Sequence, residues 1–335
     1  MRPGGASPGA TWGAGHGSNR GGRTWAGADM RLGVFTAMMV EGRVFDDSGR
    51  KLPPDEYLQK IAKTGYQGVA WGVGGGYALT PDLAERGADE LGRQSRELGL
   101  TTVSVASDAR AHDREAVRRM LEISARLKAP SLRVGLRSYD PGVPYREQVQ
   151  RSADDFAMAL NLAGPYKIRL LLEIHFGFLL PSASLAERFL ARFDSAAAGV
   201  ILDPANMVVE GYEPWEIVVE TLGGYLDHVH VKNIQWTWTK LDWMEHPTRR
   251  AHWQWQFAAL ERGLVDWSRV IRVLLAAGYD GWLLLEDFST RPLQEKLRQG
   301  RRPLSRLLGV GAAGTEPGKK SPASPRKGRT GRDKS

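Results

Sequence analysis

Four side chains able to bind a metal ion end separate apolar runs in the second half of the chain. They are Glu173, Asp203, His230 and Glu286. A buried carboxylate without a partner is costly, so an acid at the end of an apolar run needs a cation, a hydrogen-bond network or solvent. Three carboxylates and one imidazole suit one divalent cation, with Mn2+, Mg2+ or Co2+ favoured and Zn2+ also accepted.

The spacing of these residues indicates that they share one site. The intervals are 30 residues from Glu173 to Asp203 and 27 from Asp203 to His230. Each is close to one βα unit, because a barrel of about 250 residues contains eight units of about 31. The third interval, 56 residues from His230 to Glu286, exceeds one unit by about one long loop. Taken singly, each acid also fits a solvated strand end or a structural ion pair.

The elements that must position these residues alternate in type along the chain. Short runs rich in Val, Ile and Leu alternate with longer amphipathic stretches, which is typical of repeated βα units and a parallel sheet. The candidate strands are Leu32 to Ala37, Gly68 to Gly72, Thr101 to Ala106, Ser131 to Gly135, Ile168 to Ile174, Gly199 to Asp203, Leu226 to Val231 and Gly281 to Glu286. Eight such units predict an α/β fold, a single (β/α)8 TIM barrel, with its active site at the carboxyl ends of the strands.

Local signals mark where the helices between these strands begin and end. Proline beside an acid predicts helix starts at Pro54 and Pro81. Gly65, Gly99 and Gly278 predict helix ends. A doubly wound open sheet is the alternative, but its glycine-rich phosphate loop would follow the first strand, where the chain reads Thr36-Ala37-Met38-Met39.

Composition limits the class of protein. Of 335 residues, 42% are hydrophobic and 25% charged, and the absence of cysteine excludes disulfides, thiolate catalysis and cysteine-based zinc sites. The formal charge of +8 lies mostly at the ends: residues 309–335 carry seven basic and two acidic side chains, and residues 1–29 carry a net +2. The nearly neutral body therefore predicts no nucleic-acid partner for the barrel.

Three domains follow from the same composition. Residues 1–29 are predicted to be a disordered Gly-rich leader, residues 30–308 the barrel, and residues 309–335 a disordered basic tail. No stretch approaches the about 20 apolar residues of a membrane span, and the leader lacks the apolar run of a secretory signal. We therefore expect no membrane partner and a cytoplasmic location.

Strand alternation predicts which neighbours share the site. His175 lies on the same strand face as Glu173, and Lys232 on the same face as His228 and His230. Spacing alone allows either histidine of the seventh strand to be the ligand. We favour His230 and interpret His228 as a barrel-interior histidine satisfied by a neighbour. His175 is interpreted as a substrate-contacting or ligand-supporting residue rather than a ligand.

These motifs resemble the xylose isomerase-like TIM barrel superfamily over about Leu32 to Leu308. This superfamily includes tagatose and psicose 3-epimerases, hydroxypyruvate isomerases, inosose dehydratases and apurinic endonucleases. The resemblance is carried by Glu173-x-His175, Asp203-Pro204-Ala205-Asn206, His228-x-His230-x-Lys232, Gly263-Leu264-Val265-Asp266-Trp267 and Gly278-Tyr279-Asp280-Gly281 leading to Glu286.

The chain departs from this pattern at two positions. Asn206 stands where many relatives have His, so we expect it to bind a substrate hydroxyl but not to carry a proton. Asn233 stands where many have Asp, and we expect it to remove one negative charge beside the metal.

The resemblance implies a divalent-metal-dependent isomerase or epimerase acting on a sugar or sugar phosphate. A cation chelated by the substrate's carbonyl and hydroxyl would stabilise the enediolate that forms when the neighbouring C–H proton leaves. Glu173 and Glu286 are then the expected catalytic acid/base pair, and Glu173, Asp203, His230 and Glu286 the metal ligands. The expected substrate-binding residues are His175, Asn206, Lys232 and Trp236.

Three other functions compete with this interpretation. A metal-dependent dehydratase of the inosose or dehydroshikimate type would use the same barrel and expel a hydroxyl. A non-catalytic sugar-binding barrel would be expected to lose a catalytic carboxylate, whereas all are present. An endonuclease would need additional metal ligands, and the chain has only seven histidines.

The long loop between His230 and Glu286 is unusually aromatic. It holds five of the chain's 11 tryptophans, namely Trp236, Trp238, Trp243, Trp253 and Trp255. Indoles stack on the apolar faces of sugars and exclude water from a reacting centre. They could equally pack the loop onto the barrel or onto a partner subunit, which leaves a homo-oligomer open.

Overall fold

The computed structural model describes residues 29–38, 46–50, 52–75, 77, 79–239, 252–289 and 291–309. Nearly all of the leader, 1–29, and of the basic tail, 309–335, lies outside the described residues, as does Trp243. The disorder expected for both ends therefore stays a prediction.

Eight parallel strands close into a barrel, which confirms the predicted fold class. The barrel strands are β1 (Arg31–Phe35), β2 (Gly68–Val73), β3 (Thr101–Arg110), β4 (Ser131–Gly135), β5 (Arg169–Glu173), β6 (Ala198–Leu202), β7 (Leu226–Val231) and β10 (Trp282–Leu285). Each strand pairs with its neighbour along the chain, and β10 pairs with β7 on one side and with β1 on the other. The carboxyl ends of all eight strands therefore lie at the same rim of the barrel.

Helices cover the outside of this barrel. They are α1 (Pro54–Lys63), α2 (Pro81–Glu97), α3 (Arg114–Arg126), α4 (Tyr145–Ala163), α5 (Ala183–Leu190), α6 (Pro204–Val209), α7 (Trp215–Leu222), α8 (Trp267–Ala276) and α9 (Leu293–Leu307). The expected helix ends are confirmed at Gly65, Gly99 and Gly278, whose φ angles of 86°, 72° and 75° only glycine adopts without strain. None of the described helices is long and apolar enough to cross a membrane.

The strands are buried on both faces, as expected for a parallel sheet covered by helices. All six residues of β2 and all five of β6 are buried. A separate apolar cluster that includes Phe35, Trp282 and Leu284 is formed by strand residues from across the barrel. A Cβ at Gly68 would lie 2.6 Å from the Trp282 ring, so glycine is needed there to admit the indole.

The segment expected to be a long loop after His230 is instead largely an antiparallel hairpin. Strands β8 (Asn233–Thr239) and β9 (His252–Ala258) pair along their full length, with Trp236 opposite Trp255 and Trp238 opposite Trp253. The physical reason is a two-residue period: large apolar side chains occupy every second position on both strands, which suits a strand with one apolar face.

Candidate metal centre and substrate pocket

The barrel rim brings the four predicted metal ligands together. Glu173 ends β5, Asp203 follows β6, His230 lies in β7, and Glu286 follows β10. His230 Nδ1 lies 3.3 Å from Glu173 Oε1, 3.6 Å from Glu286 Oε2 and 3.8 Å from Asp203 Oδ2. At least nine-tenths of each side chain is hidden from solvent. One imidazole therefore faces three buried carboxylates.

Three of these side chains already approximate a coordination sphere. Glu173, Asp203 and His230 each offer a ligand atom, and these atoms all lie within 4.8 Å of one another. Two ligands that bind one ion at about 2.0–2.2 Å can stand at most about 4.4 Å apart, so only a small movement is needed. Both ring nitrogens of His230 lack a hydrogen-bond partner among the described residues, although the ring is fully buried. A buried imidazole of this kind is suited to a metal ion.

Glu286 lies beside this group but is held by a different cation. Lys232 Nζ is 2.6 Å from Glu286 Oε2 and 2.6 Å from Asp203 Oδ2. Burial, with repulsion from Asp203 and Glu173, raises the pKa of Glu286 even though Lys232 and His230 oppose the change. Lys232 therefore supplies positive charge to two of the four predicted ligands.

Asp203 has two separate contacts, one for each carboxylate oxygen. Its Oδ1 accepts the backbone N–H of Asn206 at 3.0 Å and caps the amino end of α6, while Oδ2 faces Lys232 and His230. Asn206 is also buried, and its side-chain amide donates to Ile174 O at 3.1 Å and Glu173 Oε1 at 3.4 Å. Asn206 thus orients Glu173 from the wall of the site.

The charge of His230 follows from the crowded carboxylates. Burial opposes protonation of the ring, but Glu286, Asp203 and Glu173 outweigh it and raise the pKa of His230 to about 9. A histidine binds metal only in its neutral form, so a cation entering this site must displace that proton. His228, two residues earlier on the same strand, is buried with Nδ1 2.8 Å from Asp227 Oδ1, but its Nε2 has no hydrogen-bond partner among the described residues, so the expected satisfied interior histidine is only half satisfied.

Sequence reasoning missed two residues that contact the centre. Arg133 Nε lies 3.5 Å from Glu173 Oε2, and its Nη2 donates to Tyr77 Oη at 3.4 Å. Burial raises the pKa of Glu173, yet Arg133 and His230 outweigh burial and hold it well below its usual range. Phe35 stacks on His230 with ring centroids 4.7 Å apart. The charge at Arg133 between Leu132 and Val134 was a signal, since alternation puts it on the face opposite those apolar residues.

Asn233 does not lie where we expected it. Its Nδ2 donates to the carbonyls of Leu260 and Val265, and its Oδ1 accepts the N–H groups of Ile234 and Val265. The side chain therefore fastens the loop after β9. A Cβ at Gly263 would lie 2.0 Å from Asn233 Oδ1, which explains the glycine there.

A cavity of about 400 Å³ opens onto the cluster. This volume is within the range of about 300–1,000 Å³ of small-molecule sites. Its lining includes Glu173, Glu286, His175, Asn206, Lys232, Arg133, Phe35, Trp255 and Phe257. The half-buried His175 donates from Nδ1 to the Phe176 carbonyl at 2.8 Å, which leaves its Nε2 for another partner. Trp236 is absent from the lining; it lies on the hairpin with 39% of its surface exposed.

Comparison with known proteins identifies the family. A family model described as xylose isomerase-like TIM barrel matches residues 58–307. The chain belongs to this family. No curated protein matches the sequence.

Solved structures share this fold at low sequence identity. L-ribulose 3-epimerase is 17% identical over 84% of this chain and 95% of its own, with a TM-score of 0.62. The probable 3-DHS dehydratase AsbF from Bacillus anthracis is 14% identical over 80% and 98%, with a TM-score of 0.60. The IOLI protein with a bound zinc atom is 12% identical over 84% and 98%, also with a TM-score of 0.60. These similarities establish the fold, and the chemistry must be argued from this chain's own residues.

Proposed function

We propose that this protein is a divalent-metal-dependent isomerase or epimerase of a sugar or sugar phosphate. The observation that carries the proposal is the convergence of the Glu173, Asp203 and His230 ligand atoms within 4.8 Å below a cavity that Glu286 also lines. Membership of the family and the similarity to a sugar epimerase support the same class of substrate.

Glu173, Asp203, His230 and Glu286 would hold the cation. The oxygen-rich ligand set favours Mn2+, Mg2+ or Co2+, and Zn2+ is a further candidate. When bound, the cation supplies a Lewis acid that polarises the substrate carbonyl and offsets the negative charge developing on its oxygen. The zinc atom in the IOLI structure supports metal binding within this fold.

Glu173 and Glu286 are proposed to move the proton. They extend from β5 and from the end of β10, and β6 and β7 lie between these strands in the barrel. Arg133 and Asn206 orient Glu173, and Lys232 orients Glu286, so each carboxylate is held before substrate arrives. Access from two sides would give epimerisation; return of the proton by one base to the neighbouring carbon would give isomerisation.

The remaining cavity residues are proposed to bind the substrate. His175 Nε2 can accept from a sugar hydroxyl, and Lys232 can donate to one. Both amide hydrogens of Asn206 already donate to Ile174 O and Glu173 Oε1, so Asn206 would accept from a hydroxyl through Oδ1. Trp236 does not line this cavity, so its proposed contact with the substrate would be made from the hairpin.

Glu173→Gln tests the proposed base. The amide keeps the shape and can still contact Asn206 and Arg133, but it cannot take a proton. We expect wild-type protein to exchange the substrate's α-proton in deuterated water and the variant to lose that exchange by at least about 100-fold, in line with general-base contributions. Exchange is followed by NMR on a panel of ketoses with added Mn2+.

Glu122→Gln is the matched control, because Glu122 is an exposed glutamate on α3. It should exchange like the wild type. Undiminished exchange in Glu173→Gln, with a native circular dichroism spectrum, would remove Glu173 from the reaction.

A dehydratase is the second candidate, favoured by the similarity to the probable 3-DHS dehydratase and by the same paired carboxylates. A dehydratase would convert substrate into a product lighter by one water. Mass spectrometry of the same reactions separates the two, since isomerisation and epimerisation leave the mass unchanged.

A further inference from the structure

The β8–β9 hairpin has two chemically different faces. Residues directly opposite in an antiparallel pair project to the same side, and alternate residues of each strand share that side. One face therefore carries only apolar side chains: Ile234, Trp236, Trp238, Trp253, Trp255 and Phe257. The other face carries polar residues that include Gln235, Thr237, Gln254 and Gln256. We call the apolar side the indole face.

The indole face is continuous with the substrate cavity. Ile234, Trp255 and Phe257, nearest the barrel, line the cavity itself. Trp255 meets Phe176 at 5.2 Å between ring centroids, and Phe257 meets Phe288 at 5.2 Å. The hairpin is thus fastened to the rim through aromatic contacts, and its apolar side extends the cavity wall outwards.

The outer half of the indole face is open to solvent. Trp236, Trp238 and Trp253 are 39%, 52% and 62% exposed, and the rings of Trp238 and Trp253 meet edge to face at 5.4 Å. From Ile234 to Trp238 the strand advances about 14 Å, at about 3.4 Å per residue. The indole face therefore extends well beyond a sugar ring bound in the cavity over Glu173 and Glu286.

The size and charge of the indole face limit which kind of molecule could bind there. Taking about 250 Å² per indole, the three exposed tryptophans present about 380 Å². A stable dimer needs about 800 Å² from each partner, so this patch alone is too small for a second copy of the chain. The six side chains of the indole face carry no charge, so the face itself offers no ion pair to a phosphate group. A neutral ring with an apolar face fits both properties.

We infer that the indole face is a second subsite, which binds a ring joined by a glycosidic bond to the sugar that reacts. The inference rests on the proposed function and extends it: the substrate class becomes a glycoside or oligosaccharide. The joined ring stacks on Trp236, Trp238 and Trp253 while the reacting sugar occupies the cavity over Glu173 and Glu286. A free monosaccharide would leave those three indoles unused.

Turnover of D-fructose is compared with that of the ketose disaccharides lactulose, turanose, maltulose and isomaltulose, using the full chain with added Mn2+. At least one disaccharide should have the higher kcat/KM. Trp238→Ala and Trp253→Ala should each reduce its advantage over fructose by about 3- to 10-fold, mainly through KM, in line with one aromatic contact. Trp253→Phe should restore part of the advantage.

Gln254→Ala is the matched control, because Gln254 is exposed beside Trp253 but lies on the polar side. It should leave the ratio of the two kcat/KM values at the wild-type level. If the ratio of disaccharide to fructose kcat/KM is the same in the tryptophan variants as in the control, the inference is overturned. Turnover of fructose in that experiment would still support the proposed function. Sedimentation that shows the tryptophan variants losing a subunit also overturns it, since the face would then be a contact between copies.

A binding measurement separates failure of the subsite from failure of the proposed reaction. The same disaccharides are titrated against wild type and Trp253→Ala by calorimetry. Tighter binding of a disaccharide than of fructose, weakened in Trp253→Ala, supports the subsite even when no sugar reacts. No disaccharide binding tighter than fructose refutes it.

Discussion

Asp203→Asn should reduce the thermal stabilisation expected from a bound divalent cation to a small fraction, without removing the helix cap. Asp203 Oδ1 accepts the N–H of Asn206 and Oδ2 faces the cluster. Asn caps helices about as well as Asp, so the first contact is kept. The substitution instead removes the charge and one oxygen ligand, which isolates the metal role of this residue from its structural role.

The size of the effect follows from linkage. A cation at 100 times its dissociation constant stabilises the native state by about 2.7 kcal/mol. For the about 280 residues of the barrel, an unfolding entropy of about 2.1 cal/mol/K per residue gives about 0.6 kcal/mol/K, hence a rise in Tm of about 5 °C. If loss of one ligand weakens binding about 100-fold, the same metal concentration gives only about 0.4 kcal/mol and less than about 1 °C.

The assay is differential scanning calorimetry of metal-free protein before and after addition of Mn2+, Mg2+, Co2+ or Zn2+. Each variant is compared with itself, so the change in ion pairing between Asp203 and Lys232 cancels. Asp113→Asn is the matched control: Asp113 caps α3 by accepting the Ala116 N–H at 3.0 Å on an exposed helix end. It should keep the full shift. An equal shift in both variants, or none in the wild type with any of the four ions, would refute the reasoning.

Two further outcomes follow from the same contacts. The carboxylates outweigh burial and raise the pKa of His230 to about 9 in the metal-free protein, so cation affinity should rise about tenfold per pH unit as pH increases towards that value and then level off. Calorimetry in buffers of different ionisation enthalpy should detect about one proton released near pH 7. A cation affinity that does not change between pH 6 and 9 would contradict this expectation. Gly263→Ala places a Cβ 2.0 Å from Asn233 Oδ1 and should lower the free energy of unfolding by about 2–3 kcal/mol, measured in urea. Gly87→Ala is the control: the atom nearest to its new Cβ is 3.9 Å away inside α2, so this variant should be as stable as the wild type or more stable. Equal stabilities of the two variants would show that Asn233 does not fasten the loop.

The architecture could be predicted because its signals are local. Apolar runs of strand length, prolines at helix starts and glycines at Gly65, Gly99 and Gly278 each depend on a few neighbouring residues. The grouping of Glu173, Asp203, His230 and Glu286 needed one more step, the rule that parallel strands end at one rim. That rule places residues far apart in sequence at one site without any knowledge of their contacts.

Only the tertiary structure decided which partner each charged group has. Arg133 reaches Glu173 and Lys232 bridges Asp203 and Glu286 because the barrel closes around them, and no spacing in the chain specifies those pairs. Asn233 turns away from the centre because a loop ending at Val265 returns to it. The alternation of apolar and polar residues in the hairpin can be read from the sequence. Only the packing of the folded chain shows that Trp255 and Phe257 on its apolar face line the cavity. Local preferences determine elements, whereas ion pairs and shared faces depend on distances that exist only after the chain has folded.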